Sequence, residues 1–137
     1  MNNDTGRQFF VCTITRDGEL CDLKIYLEDY AEAALQKFMA CRRHAFLKRR
    51  GLPTWFGTPT VCSNEHFKSV NEGCEIEASP LKDPLRQCAA ITGGYTLERK
   101  IRDMEQGKLA ADPAVIRVLE RGLFQLVAMA KIAAKDL

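Results

Sequence analysis

The sequence predicts an α+β fold: a small, mostly antiparallel sheet, made of an N-terminal hairpin and a weaker second hairpin, packed by three helices. Three observations predict it. Two segments near the N-terminus are rich in β-branched and aromatic residues and are joined by Asp17-Gly18, residue types that favour strands and a tight turn. Glu28–Arg50 repeats its apolar residues at helical spacing. The segment from Pro113 to Asp136 does the same over a wider arc.

Residues 1–7 are expected to be a flexible start, followed by strands at Gln8–Thr15 and Leu20–Leu27. In the second strand Cys21, Leu23, Ile25 and Leu27 alternate with Asp22, Lys24 and Tyr26. That alternation predicts one buried and one wet face. The helix that follows is expected to lay Leu35 and Phe38 across the buried one.

In Glu28–Arg50, Tyr30, Ala34, Leu35, Phe38, Cys41 and Phe46 share half of a wheel drawn at about 100° per residue, and Arg42 is the one charge among them. Gly51 and Pro53 supply the stop, because glycine takes the left-handed conformation after a last helical turn and proline cannot continue it. Leu52–Ser63 holds two prolines, a glycine and the only tryptophan, so it reads as a loop or an irregular edge strand. His66–Val70 and Cys74–Ser79 form the second hairpin around Asn71-Glu72-Gly73, with Ile76 and Ala78 on one face and Glu75 and Glu77 on the other.

Asp83 and Pro84 open a further helix that Gly93-Gly94 breaks, since two glycines in a helix interior cost ~2 kcal/mol. Helix resumes from Thr96 to about Gln106, ended by Gly107. Asp112 as N-cap and Pro113 at the first helical position open the last helix. Ile116, Val118, Leu119, Leu123, Leu126 and Val127 contribute to an apolar arc wide enough to need more than one neighbour.

With 137 residues the chain is expected to form one domain around one core. Apolar residues at 46% and charged residues at 28% fit a soluble globular protein and argue against disorder. No apolar run approaches the ~20 residues of a membrane helix, and no basic segment leads into an apolar one at the N-terminus. The six cysteines stand singly in apolar surroundings without CxxC pairs, which reads as free thiols in a reducing cytoplasm. Net charge is +2, too small to imply a polyanionic partner by itself. Its distribution is uneven. Residues 1–36 hold seven acidic side chains against three basic ones, whereas residues 37–50 hold six basic and none acidic.

That basic end, Arg42, Arg43, Lys48, Arg49 and Arg50, with Trp55 and Phe56 close behind, is the leading candidate for a partner-binding surface. Trp and Arg are the residue types most enriched at interface hot spots. The plainer alternative is a solvated helix end, favoured by the helix dipole, followed by a tryptophan that plugs the core. Phe124 and Ile132 lie eight residues apart on the charged face of the last helix and are candidates for an oligomer contact; scattered exposed hydrophobes need no such role.

Signs of catalysis are weak. Cys62 and His66, four apart, could pair as thiol and base. Cys41 and His44, three apart on a helix, could ligate a metal but lack further ligands. Thr92-Gly93-Gly94-Tyr95-Thr96 could offer amides to an anion, though a helix break explains it as well. Glu75 and Glu77 would need an acid–base partner from elsewhere. The sequence is therefore read as a small regulatory or inhibitory protein, without an expected cofactor or metal, that acts by protein–protein contact and is a candidate homodimer. Nucleic-acid binding through the basic end is the second reading, and a Cys62 thiol enzyme the third.

Overall fold

The computed structural model describes residues 7–41, 47–55, 57–63, 66–82 and 94–135, with the side chains of 62, 63, 94, 95 and 128–135 outside the description. Five strands form one antiparallel sheet: β1 (Gln8–Arg16), β2 (Glu19–Glu28), β3 (Thr60–Ser63), β4 (His66–Asn71) and β5 (Cys74–Pro80), in the order β2-β1-β5-β4-β3. Three helices lie wholly among the described residues, α1 (Ala31–Ala40), α2 (Gly94–Glu105) and α3 (Pro113–Lys135), and residues 47–49 are helical as well.

Both hairpins form where their turn residues demand. Asp17 and Gly18 have φ of 52° and 82°, and Glu72 and Gly73 have φ of 50° and 80°. Two consecutive positive values match the right-handed twist of the flanking strands, which is why such turns close two-residue hairpins. The first hairpin slips by one residue between Ile14 and Thr15. Residues 60–63 resolve the choice left open by the prolines: they are an edge strand, paired to β4 alone.

The sheet is covered on both faces. Phe10, Cys12, Ile14, Cys74, Ile76 and Ala78 point to one side, where Ala31, Ala34, Leu35 and Phe38 of α1 close over them, with Leu47 and Leu52. Phe9, Leu23, Ile25 and Leu27 point to the other, against Ile101 and Met104 of α2 and Val115 and Leu119 of α3. This corrects the expected placement of α1, which covers the side of Tyr26 instead of the Leu23/Ile25/Leu27 side. Tyr26 meets the Phe38 ring edge-on, with centroids 6.3 Å apart. The reason lies in β1. Its run Phe9-Phe10-Val11-Cys12 puts apolar side chains on both faces, so neither can be left to water.

A second correction concerns the helix expected over 28–50. Glu28 ends β2, α1 starts at Ala31, and Cys41 leaves the helix in an extended conformation (ψ −164°). Glu28 pairs with Gln8 in the β1–β2 ladder, which holds that end of the segment extended, and residues 42–46 lie outside the described residues. The stop at Gly51 nevertheless works by the expected chemistry. The amide of Gly51 (φ 70°) donates to the Lys48 carbonyl and that of Leu52 to the Leu47 carbonyl, a Schellman closure of the short turn from Leu47.

The last helix opens on its expected cap, with the Ala114 amide donating to Asp112 Oδ1 at 2.9 Å. From α3, Glu120 reaches the exposed edge of β2, and its Oε2 accepts the Ile25 amide at 2.8 Å. The break at Gly93-Gly94 and the helix expected from Asp83 fall outside the described residues apart from Gly94, which begins α2. No helix among the described residues is long and apolar enough to cross a membrane.

Candidate protein-contact surface around Trp55

One end of the sheet gathers the turn at Leu47–Arg50, the loop from Gly51 and both hairpin tips. The loop is held at two points. Leu52 is buried in the core beside α1. Further on, the Ser69 hydroxyl of β4 donates to the Gly57 carbonyl, and Ser69 is the only buried polar side chain among the described residues. Between these anchors Trp55 is 68% exposed, the most exposed of the large hydrophobic side chains described. It does not plug the core. A Cβ added at Gly57 would lie 3.9 Å from the indole Cη2, so the ring rests beside a glycine that leaves it room.

Trp55 also lines an open depression of about 430 Å³, walled by Lys48 on one element, by Gly51, Leu52, Pro53 and Thr54, and by Asn71 and Glu72 from the β4–β5 turn. Lys48, Arg49 and Arg50 are all exposed. Arg16, at the end of β1, donates through Nη1 to the Gly51 carbonyl at 3.1 Å and ties the loop to the first hairpin. Asp17 Oδ1 lies 3.8 Å from the Cβ position at Gly73, which brings the two acidic tips together. The surface is therefore of mixed sign. Of the residues expected here, Lys48, Arg49, Arg50 and Trp55 are brought to one end of the fold, while Arg42, Arg43 and Phe56 lie outside the described residues. Asn71, Glu72, Asp17 and Arg16 were not expected. Their turn chemistry was legible, but not that both tips would meet the Trp55 loop, because that depends on strand order.

The other candidates fare less well. His66 Nε2 lies 3.1 Å from Glu77 Oε2, and Lys68 Nζ lies 3.1 Å from Glu75 Oε2, so both glutamates have cross-strand partners. The side chain of Cys62 lies outside the description, as do His44, Thr92 and Gly93. Cys41 is exposed and lines a second depression of about 310 Å³ between β2 and the start of α3, with Tyr26, Ile116, Arg117 and Glu120. Cys12, Cys21, Cys41 and Cys74 are free thiols. Burial pushes the Cys74 thiol up from its ordinary value, against the opposing pull of Arg16, which favours the thiol over the thiolate. No group of three or more His, Cys, Asp or Glu that could hold a metal occurs among the described residues. Phe124 is 39% exposed on α3. The side chain of Ile132, its expected companion, lies outside the description.

Comparison of the chain with protein-family models, with curated proteins and with solved structures finds no match.

Proposed function

We propose that this chain is a small regulatory or inhibitory binding module that acts by occupying the surface of a protein partner through the Trp55 loop. The observation that carries the reading is an indole exposed to solvent on a loop pinned at both Leu52 and Gly57. An anchored aromatic loses little freedom on binding, so its apolar area is available to the contact. The open depression beside it gives a partner side chain somewhere to go. Mixed charge argues the same way. Glu72 lines the same depression as Lys48, and Asp17 approaches the Gly73 next to it, an arrangement that repels a phosphate backbone as well as attracting it. The free thiols at Cys12, Cys21, Cys41 and Cys74 support a reducing compartment.

The test is capture from nuclease-treated extract of the native host, comparing the wild type with Trp55→Ala. Trp55 is exposed, so its removal should leave the thermal midpoint unchanged. A hot-spot tryptophan contributes about 2 kcal/mol or more, which lowers affinity roughly 30-fold. Equal capture by both proteins rejects the reading. Capture seen only in a parallel untreated extract, or abolished by moderate salt, replaces it with nucleic-acid binding through Lys48, Arg49 and Arg50.

A further inference from the structure

We infer that the Trp55 surface is self-complementary and that its partner is a second copy of this chain, related by a two-fold axis through the depression. The inference rests on the protein-contact reading above and names the occupant. A two-fold contact places each patch against itself. A patch of one sign therefore repels its copy, and one carrying both signs on separate elements can pair with it. Here the cation, Lys48, comes from the turn before Gly51, and the anion, Glu72, from the tip of the β4–β5 hairpin, with Trp55 lining the same depression. An axis passing between these walls sets the Lys48 of one copy against the Glu72 of the other, twice. The two indoles, each lining its depression, are then brought to the same contact, where offset or edge-on aromatic pairs are favourable.

The two-residue turn requires a positive φ at position 72 but does not require a glutamate there. Glu72 adopts φ 50°, a left-handed conformation in which glutamate is poorly suited and asparagine or glycine is the usual choice. The corresponding position of the first hairpin holds Asp17, which tolerates it better. A carboxylate kept at the hairpin tip at that cost fits a residue used in a contact.

Charge exchange gives the decisive test, read by sedimentation and by the emission of the single tryptophan. The wild type should approach twice its 15.4 kDa mass as concentration rises, with a blue shift as Trp55 leaves water. Lys48→Glu alone and Glu72→Lys alone should each stay monomeric, because each swap creates two like-charge pairs. Mixed in equal amounts they should associate, since every pair across the unlike dimer is then attractive. Circular dichroism confirms that each is folded; should a swap unfold the chain, Lys48→Gln and Glu72→Gln replace it and should each weaken association at least tenfold. A monomeric wild type at millimolar concentration, a dimer indifferent to the swaps, or swapped variants that ignore each other would overturn the inference. A photo-crosslinking benzoylphenylalanine in place of Thr54 separates the two claims. Dimeric adduct in the pure protein supports self-association. Adduct to other proteins in extract, with none in the pure protein, overturns it and leaves the partner-binding reading standing. No protein adduct in either overturns both.

Discussion

The two faces of the sheet are closed to different extents. On the α1 side the cover reaches across most of the sheet, and Phe10, Cys12, Ile14, Cys74, Ile76 and Ala78 are all 0 or 1% exposed. On the other side α2 and α3 cover β1 and β2, while β4 and β5 carry His66, Lys68, Glu75 and Glu77 in cross-strand pairs. The strands record this difference in their composition. β1, covered on both faces, has a continuous apolar run; β5, with apolar cover on one face among the described residues, alternates Cys74, Ile76 and Ala78 with Glu75 and Glu77. Alternation thus reports how many faces of a strand are dry, not which helix dries them.

The comparison can be broken most directly at the centres of the two covers. Phe38→Ala empties the α1 face and should destabilise the protein by about 3–5 kcal/mol. Leu119→Ala, on the opposite face, should cost about 2–5 kcal/mol. Both are read by urea unfolding, and a loss below 1 kcal/mol at either site would mean that the face is not sealed as described.

The next effect tests how α3 protects the sheet edge. Glu120→Ala leaves the Ile25 amide without its acceptor, at a cost of about 1–3 kcal/mol. Hydrogen exchange at Ile25 should accelerate, and Glu120→Gln, which keeps an acceptor oxygen, should restore part of the protection. Unchanged exchange in the alanine variant would remove Glu120 from that role.

Smaller changes are expected at the polar half and the hairpin tip. Glu77→Gln gives up the His66 pair on a partly exposed face and should cost under about 1 kcal/mol. Glu72→Asn relieves the left-handed glutamate and should raise stability by about 1 kcal/mol or less, visible as a higher thermal midpoint. A lower midpoint would show that the turn is already at ease with glutamate.

The weakest effect is a dependence on alkaline pH. The folded Cys74 holds its proton above the ordinary thiol value of 9.0, whereas the unfolded thiol ionises there. The folded state binds the proton more tightly, so this contribution to stability is complete below that value and is lost as pH rises through the folded one. Cys74→Ala should flatten that alkaline slope, and in the wild type Cys41 should react with an alkylating reagent well before Cys74. Equal rates would contradict the burial.

Local features were the ones legible in the chain. Asp17-Gly18 and Glu72-Gly73 specify their turns through backbone geometry, Asp112 and Pro113 open a helix, and Gly51 closes one; each acts through neighbours a few residues away. The helix over 28–50 was over-extended because periodicity measures one face of a segment and not the space facing it. Only the tertiary structure shows that Glu28 pairs with Gln8 in the sheet and that the backbone is extended at Cys41.

The sequence by itself determined the α+β class, both hairpins, the Asp112 cap and much of the core, though not the exposure of Tyr30 and Cys41 or the packing of Tyr26, because propensity, turn geometry and apolar spacing are properties of short stretches. Tertiary structure alone decided which face α1 covers, that Glu120 seals the β2 edge, and that Lys48, Trp55 and Glu72 share one depression. Those outcomes depend on strand order, and strand order brings together residues that no local pattern connects.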